Sequence, residues 1–475
     1  MADRLLHLQT STLKRDDYFR FFDDSRIHYP ASGNRSKPVL GTLSPGCRSC
    51  ISGTWSCIFI TGDCTRSCFF CPSPQKRSDR EKRPNVSENL SFGSVHDYCT
   101  YLEKFNFDGI SFSGGEPFLV LDTVIDYIRE IRKRFGQKHY IWAYTNGDLV
   151  TAEKLTRLNL AGLNELRFDI AAGGYSLDSV KTAIDHIGTV SIEIPAIPED
   201  RETVEALLKE MESIGVKHLN LHQLMQTGHN GGHFMKRGYT PVNSDQYGNH
   251  TPVMESELAA CQILKHAIEI NSGLGINYCT RCYKARFQNL AHRKRSALFC
   301  PDSTASFNGA GYLRRLSMDA ADPVAELLME TIPGPEWEIV KNNEKTDLVF
   351  PFHYFGILFQ EDCTRVEVLY YEPSLLPVAG DAPPGSKART QRFAGNTVQF
   401  QTVLKYRLEL KNMTAASLFY SLFIENSSLS NVIDRTLEAY GLDADNGGEL
   451  THDIKTFYQR FADVEYTDPC LQPYT

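Results

Sequence analysis

The sequence predicts an α/β fold in which a parallel sheet curves into part of a barrel. Strand-like apolar runs alternate with helical patterns between about residues 56 and 224, which is typical of a parallel sheet with crossover helices. There are six such units rather than eight, so we expect a partial barrel. No Gly-x-Gly-x-x-Gly follows the first strand, which disfavours a doubly wound sheet. The predicted strands are 56–61, 109–113, 140–144, 165–170, 190–194 and 218–224, and the predicted helices are 95–106, 120–135, 151–159, 176–187 and 201–214.

A chain of 475 residues is too long for one ordinary hydrophobic core, and we divide it into four parts. Residues 1–45 form an N-terminal extension and residues 46–228 form the partial barrel. Residues 229–305 form a Cys-rich auxiliary region. Residues 306–475 read as an α+β domain that we expect to cap the barrel and select the substrate.

The bulk composition disfavours several classes of protein. With 41% hydrophobic residues, 23% charged residues and a net charge of −8, the chain has no large basic block for a nucleic acid, which makes such a partner unexpected. No run approaches the ~20 apolar residues that span a bilayer, and the N-terminus lacks an apolar signal region. We therefore expect a cytoplasmic protein without a membrane partner. In that compartment thirteen cysteines indicate metal binding rather than disulfides.

The segment Cys64–Cys71 carries the strongest chemical signal in the chain. It reads Cys-Thr-Arg-Ser-Cys-Phe-Phe-Cys and directly follows the first predicted strand. Three thiolates in one tight loop, from Cys64, Cys68 and Cys71, can ligate three irons of a cubane cluster and leave the fourth iron open to a small molecule. A zinc knuckle and buried free thiols are the alternatives, although zinc would require a fourth ligand that this loop does not contain.

Polar and glycine residues end the next strands. The second strand ends in Gly114-Gly115-Glu116-Pro117, where glycines permit a close backbone approach and a carboxylate can accept from an ammonium group. Asn146 ends the third strand. Arg167 and Asp169 lie two residues apart on the fourth strand and therefore share a face.

Together these motifs resemble the radical S-adenosylmethionine (SAM) superfamily. The resemblance implies a [4Fe–4S] cluster on the three cysteines that cleaves SAM reductively to a 5′-deoxyadenosyl radical. Residues Gly114 to Pro117 would meet the methionine amine, and Phe70 would contact the adenine. Further contacts with SAM would come from Asn146, Arg167 and Asp169. Of these, Arg167 and Asp169 would hold the carboxylate and the ribose of SAM. A salt-bridged barrel interior is the alternative for those two.

Outside the loop, two further C-x2-C pairs are formed by Cys47 with Cys50 and by Cys279 with Cys282. If the pairs meet in space they would suit a second iron–sulfur cluster, which we favour, or zinc. Buried free thiols remain the alternative, and Cys57 and Cys300 are additional candidate ligands.

Over about residues 46–300 the chain looks similar to uncharacterised radical SAM proteins described as related to pyruvate formate-lyase activating enzymes. Members commonly keep equivalents of Cys47, Cys50 and Cys279, which leaves Cys282 as an extra. The resemblance implies no particular reaction.

The segment 228–233 is rich in glycine and contains His229 and His233. Two histidines four apart would meet on a metal only in a helix, and glycines disfavour a helix. We therefore predict a loop that covers the substrate.

We expect an enzyme that abstracts hydrogen from a small-molecule or peptide substrate, with flavodoxin or ferredoxin as the electron donor. One alternative is an activase that places a glycyl radical on a partner protein. Another is a non-catalytic iron–sulfur or zinc protein, which would have no use for the amine-binding strand end at Gly114 to Pro117.

Overall fold

A computed structural model describes most of the chain and divides it into two compact units. The first unit is residues 1–289 with 392–396 and 468–475, and the second is residues 290–391 and 397–467. The residues described are 24–29, 37–73, 84–86, 90–241, 250–284, 289–299, 306–342, 345–359, 365–377, 388–443 and 446–465. Cys300 lies outside them, as does the side chain of Cys282.

The first unit is built on seven parallel strands that neighbour one another in chain order. They are β1 Trp55–Thr61, β2 Gly109–Gly114, β3 Tyr140–Thr145, β4 Glu165–Phe168, β5 Thr189–Pro195, β6 His218–His222 and β7 Gly275–Cys279. The prediction of an α/β fold with a partial barrel is confirmed. The sheet contains one more parallel strand than the six predicted, because β7 pairs with β6 inside the region assigned to the auxiliary site.

Short antiparallel strands extend both edges of this sheet. Val39–Leu40 pairs with β7 and with Ile27–His28, whereas Asn85–Val86 pairs with β1 and with Leu90–Ser91. A separate two-stranded ribbon joins Met225–Gln226 to Thr251–Pro252.

Helices connect the parallel strands, as the alternating pattern requires. The helix Leu121–Phe135 buries Val124, Ile125, Ile128 and Ile131, the periodic apolar residues that predicted it. The α-helices of this unit are Pro45–Ile51, Val95–Phe105, Leu121–Phe135, Ala152–Ala161, Asp178–Ile184, Arg201–Ile214, Gly231–Lys236, Met254–Glu269 and Arg281–Tyr283. Among the described residues of this unit, short 3₁₀ segments lie at Pro117–Val120, Ile170–Gly173 and Pro198–Asp200.

The two faces of the parallel sheet differ sharply in polarity. On β5, Ile192 and Ile194 are buried and apolar, whereas Ser191 and Glu193 lie on the opposite face. Strand register places the polar residues of neighbouring strands on that same face. They are Cys57, Ser111, Trp142, Tyr144, Glu165, Arg167, Ser191, Glu193, Asn220, His222, Asn277 and Cys279. Because the crossover helices cover the apolar face, the polar face lines the barrel interior.

The second unit is an antiparallel sheet with helices, an α+β arrangement. Its core includes Leu316, Phe350, Val368, Phe419 and Phe461. The strands of this sheet are Ser306–Phe307, Leu313–Asp319, Glu338–Asn342, Lys345–Pro351, Val366–Pro377, Ala388–Phe393 and Asn396–Leu410. The helices are Asn289–Ala297, Pro323–Thr331, Met413–Phe423, Leu429–Ala439 and Gly448–Glu465, with 3₁₀ segments at Gly334–Glu336 and Phe352–Phe359. Across the described residues of both units, none of the helices combines the length and apolarity needed to cross a bilayer.

Candidate active site

The loop Cys64–Cys71 follows β1 and is tied to the end of β3. The side-chain amide of Asn146 donates to Thr65 Oγ1 at 2.8 Å. That hydroxyl donates to Asp148 at 2.8 Å, and the guanidinium of Arg66 donates to the same carboxylate at 2.5 and 2.7 Å. Hydrogen bonding from Arg66 lowers the pKa of Asp148. The side chain of Asn146 therefore positions this loop. Its contact with SAM stays a prediction.

A second set of hydrogen bonds holds the loop from the other side. The amide of Asn230 donates to the backbone carbonyl of Phe70 at 3.2 Å. The hydroxyl of Thr227 donates to the carbonyl of Pro72 at 3.0 Å. The cysteine loop is therefore fastened at both ends, and the carbonyl of Phe70 is already engaged.

The glycine-rich segment 228–233 contributes to this second anchor. Our prediction that its glycines preclude a helix is wrong for the last residues, because a helix spans Gly231–Lys236. His233 lies within that helix and His229 precedes it. The helix supplies Phe234, whose ring lies 6.3 Å from that of Phe69 in the cysteine loop. Apolar packing onto the loop offsets the poor helix propensity of glycine.

The three thiols of the loop share one small, partly exposed region. Cys64, Cys68 and Cys71 are all half-buried. Burial raises the pKa of Cys68 to about 12, and the nearby charges of Asp169, Cys64 and Cys71 add to this shift. Thiolates that repel one another in this way are stabilised when metal ions bind them. Three thiols in one loop are the donor set that the predicted cluster requires, and the cluster itself stays a prediction.

The paired glycines at the end of β2 permit a close contact between two backbones. A side chain on Gly114, which has a φ of 129°, would place its Cβ 2.1 Å from the carbonyl oxygen of Thr61. A side chain on Gly115 would place its Cβ 1.8 Å from the carbonyl oxygen of Asp63 and 3.1 Å from the nitrogen of Cys64. The pair is needed to seat the start of the cysteine loop.

Glu116 is almost completely buried, with 1% of its surface exposed, and links the ends of β2 and β3. One carboxylate oxygen accepts from the nitrogen of Phe118 at 3.0 Å and from the hydroxyl of Thr145 at 2.9 Å. The other accepts from the nitrogen of Asn146 at 2.8 Å. Burial raises the pKa of Glu116 and these hydrogen bonds oppose the shift. Contact of Glu116 and Pro117 with a methionine amine remains a prediction.

Asp169 lies just beyond β4 and close to Cys68. Its carboxylate accepts from the nitrogen of Ala172 at 3.3 Å. Burial raises the pKa of Asp169 to about 7, with Glu193 and Glu116 adding to the shift. Burial therefore favours the protonated form of this carboxyl group, and its predicted contact with SAM remains a prediction.

Arg167 lies in the barrel interior within a buried charge network. Its guanidinium donates to Glu165 at 2.9 Å, to Glu193 at 2.7 Å and to the hydroxyl of Ser44 at 2.9 Å. It also lies 4.9 Å from the centre of the Trp142 ring. These partners match the salt-bridged interior that we kept as the alternative to a SAM contact.

The network continues from Glu193 to a histidine and a lysine. The Nε2 of His222 lies 2.8 Å from Glu193 and the Nδ1 lies 2.7 Å from the ammonium of Lys284. Burial would raise the pKa of Glu193, but His222 and Arg167 together hold it well below its usual value. Burial and the charge of Lys284 lower the pKa of His222. An ammonium can only donate, so Nδ1 of His222 accepts the hydrogen bond from Lys284.

A group of thiols lies beside this network, around a buried lysine. Lys37 is 2% exposed; its ammonium donates to Cys279 Sγ at 2.9 Å and lies 4.4 Å from the centre of the Tyr283 ring. Cys279, Cys50 and Cys47 all contribute to the electrostatic environment of Lys37. Burial raises the pKa of Cys50 to about 12. The structure therefore brings together three of the four cysteines predicted to form an auxiliary site.

The remaining candidate ligands are less well defined. Cys282 lies on the short helix Arg281–Tyr283, three residues after Cys279 in the chain. Cys57 lies on β1, and burial raises the pKa of its thiol to about 11. Among the residues that the structure describes, no three His, Cys, Asp or Glu side chains are grouped to hold a single metal ion. A four-iron cluster needs a wider spacing because its ligands bind different irons.

Sequence reasoning missed several polar residues of the interior. Lys37 precedes the short strand Val39–Leu40 within a stretch that reads as an irregular lead-in, so nothing in the sequence indicates that it is buried. Glu165 was counted only as a strand residue. Polar residues occupy every second position of β4 and β5. This alternation predicts that Glu165 lies on the same face of the sheet as Arg167 and Glu193.

A partial barrel with a three-cysteine loop after its first strand is typical of proteins of the radical SAM type. Residues 58–211 match the model of the radical SAM superfamily. That match covers less than half of the chain, and over those residues the chain is similar to the superfamily.

One curated relative is the "Putative glycyl-radical enzyme activating enzyme MJ0021" of Methanocaldococcus jannaschii. It is 28% identical over 256 residues, which cover 52% of this chain and 65% of that relative. The match therefore spans slightly less than two thirds of the relative's length.

Solved structures with a similar fold include SuiB of Streptococcus suis bound to the precursor peptide SuiA. That match has 13% identity and a TM-score of 0.34, and it covers 48% of each chain. The methyltransferase TsrM of Kitasatospora setae, bound to tryptophan and a SAM analogue, has 15% identity and a TM-score of 0.29 over 38% of each chain.

Proposed function

We propose that this chain is a radical SAM enzyme that abstracts hydrogen from a small-molecule or peptide substrate bound within the partial barrel. The observation that carries the proposal is the cysteine loop Cys64–Cys71, fastened on both sides and seated against Gly114 and Gly115 at the end of β2. A rigid support of this kind suits a cofactor that must be placed precisely against its substrate.

Cys64, Cys68 and Cys71 would hold a [4Fe–4S] cluster, and the ends of β2 to β4 would hold SAM. When bound, the cluster supplies the electron that cleaves SAM and generates a 5′-deoxyadenosyl radical. The residues of this chain then have three tasks. Glu116 keeps the ends of β2 and β3 together, Asp148 and Asn230 hold the loop in place, and Asp169 can hold a proton beside Cys68.

We propose further that Cys47, Cys50 and Cys279 hold a second iron–sulfur cluster. Their proximity to Lys37 supports this, because a buried ammonium needs a compensating negative charge and ligated thiolates would provide it. Cys282 is the candidate for a fourth ligand. Zinc remains the alternative metal.

A glycyl-radical activase is the second candidate, and the name of the archaeal relative favours it. In that case the substrate would be a backbone glycine of a partner protein. The two candidates differ in the acceptor of the radical and not in the chemistry at the cysteine loop.

The test is anaerobic reconstitution with iron and sulfide, followed by reduction in the presence of SAM. We expect 5′-deoxyadenosine by mass spectrometry and about eight irons per chain, four for each cluster. The triple variant Cys64→Ala/Cys68→Ala/Cys71→Ala should lose the 5′-deoxyadenosine and about four irons. A variant lacking Cys47, Cys50 and Cys279 should also lose about four irons but keep the wild-type loading of the first cluster.

The control is Cys99→Ala, which removes a buried thiol from the helix Val95–Phe105. It should keep all of the iron. A fully loaded wild-type protein that releases no 5′-deoxyadenosine, with or without added peptides, would contradict the proposal. Iron near four with about one zinc would replace the second cluster by a zinc site.

A further inference from the structure

We infer that Lys284 binds an anionic group of the substrate inside the barrel. In this arrangement His222 and Glu193 hold the side chain of Lys284 in position. The group would be a carboxylate or a phosphate. The inference rests on the proposed function, since it assigns a substrate class to the same barrel, but it concerns binding and not radical chemistry.

The hydrogen bonds around His222 define its role. Lys284 has only protons to donate, so Nδ1 of His222 must accept from it across 2.7 Å. The proton of the neutral ring then lies on Nε2, which is 2.8 Å from Glu193. Glu193 is itself held by Arg167 at 2.7 Å and by the amide of Asn220 at 3.1 Å. Lys284 is therefore attached to a rigid chain of side chains that spans β4, β5 and β6.

Lys284 retains binding capacity after this contact. An ammonium group has three donors, and His222 uses one of them. Within the part of the chain that the structure describes, no carboxylate forms an ion pair with Lys284, whereas Arg167 has two. The lysine is half-buried and the side chain of His222 is 30% exposed, so a ligand can reach the pair.

The location suits a substrate rather than a structural ion. His222 ends β6 and lies opposite Cys279, the last residue of β7. Lys284 follows shortly after that strand. The carboxyl ends of parallel strands form one mouth of a barrel, and the loop Cys64–Cys71 follows the carboxyl end of β1. An anion held by Lys284 would therefore lie at the same end of the barrel as the proposed cluster.

The sign of the charge follows from the neighbours. Lys284 donates to an imidazole nitrogen of His222, and among the described residues no carboxylate pairs with it. An ammonium without a carboxylate partner repels a cationic ligand and attracts an anionic one. Carboxylates and phosphates supply the acceptor oxygens that an ammonium binds best.

The test is calorimetric titration of the full chain with succinate and with inorganic phosphate, and with succinamide as the uncharged probe. No SAM is added, so a failure of the radical chemistry would not affect the result. We expect one of the two anions to bind and succinamide not to bind. Lys284→Met should weaken anion binding at least about tenfold, which corresponds to 1.4 kcal/mol, whereas Lys284→Arg should retain most of it.

Lys181→Met is the control, because Lys181 is an exposed lysine paired with Glu210. It should bind the anion as the wild type does. A second readout follows the ring nitrogens of His222 by NMR on ¹⁵N-histidine-labelled protein, assigned with His222→Gln. Saturation with the anion should shift these signals in the wild type but not in Lys284→Met. Absence of anion binding by the wild type, or equal affinity in Lys284→Met, would overturn the inference.

Discussion

The ammonium of Lys37 lies 2.9 Å from the sulfur of Cys279, and both side chains are buried. A buried ammonium that lacks a negative partner is costly, and no carboxylate forms an ion pair with Lys37 among the described residues. The cysteines are the groups around it that can acquire negative charge. This contact therefore leads to a prediction about the second cluster.

We expect Lys37→Met to impair the site formed by Cys47, Cys50 and Cys279 specifically. Methionine keeps the apolar stem but removes the charge that stabilises the thiolates. Iron content after reconstitution should fall by up to about four per chain, while 5′-deoxyadenosine formation at the first cluster continues. Lys181→Met, which changes an exposed lysine, is the matched control. Full iron loading in Lys37→Met would show that Lys37 does not support a cluster.

Gly115→Ala should displace the cysteine loop. The added Cβ would meet the carbonyl oxygen of Asp63 at 1.8 Å, and because the atoms it meets are backbone atoms of Asp63 and Cys64, the clash is not easily relieved. We expect the first cluster to lose more than about half of its iron and the variant to be less stable by about 1–3 kcal/mol, as for overpacked sites. Iron analysis and chemical denaturation would measure both effects.

Gly188→Ala is the control for this variant, because its Cβ would meet only the carbonyl oxygen of Asn164, at 3.8 Å. It should load iron normally. If Gly115→Ala did the same, close backbone approach would not be the reason for a glycine at this position.

Glu193→Gln should destabilise the first unit. The substitution leaves Arg167 and His222 with a neutral partner in a buried site, and loss of one member of a buried ion pair typically costs about 3 kcal/mol or more. Because the folded pKa of Glu193 is depressed, its stabilising effect is present above the unfolded pKa and is lost as the pH falls. The variant should therefore lose less stability than the wild type on acidification.

Denaturant titrations at several pH values would measure this difference. Glu210→Gln, which alters the exposed pair with Lys181, should not change stability measurably. A Glu193→Gln protein as stable as the wild type at neutral pH would refute the idea that the interior network supports the fold.

Asp169→Asn should stabilise the protein at pH 8, whereas Glu193→Gln should destabilise it. The folded pKa of Asp169 is raised by burial to about 7, from 3.8. Stability is therefore lost as the pH rises from about 4 to about 7, because the unfolded chain ionises first, and the loss can reach about 4 kcal/mol. The amide avoids this cost and can still accept the hydrogen bond from Ala172. The metal-free variant should melt at a higher temperature than the wild type at pH 8 and at a similar temperature at pH 4.

Asp148→Asn provides the contrast, because hydrogen bonding from Arg66 lowers the pKa of Asp148. That variant should gain no stability at pH 8. A melting temperature for Asp169→Asn that lies below the wild-type value at pH 8 would show that the carboxylate is stabilised in the folded protein.

Much of the fold was predictable because periodicity is a local property. The apolar period of the helix Leu121–Phe135 and the apolar runs of β1 to β6 are visible in short windows of sequence. The strand β7 was not recognised as part of the sheet, although Gly275–Cys279 is apolar enough. It follows the long helix Met254–Glu269 and carries a cysteine, and the cysteine suggested a separate metal region.

The sequence alone determined the α/β class, the superfamily motifs and the loop Cys64–Cys71, because each depends on residues close together in the chain. The tertiary structure decided which distant residues meet. Lys37 and Cys279 are 242 positions apart, and Arg167 is 26 positions from Glu193, yet each pair is in contact. Such contacts follow from the register of the strands, antiparallel between Val39–Leu40 and β7 and parallel between β4 and β5, and from the curvature of the sheet. Both are set by packing across the whole sheet, so no local pattern records them.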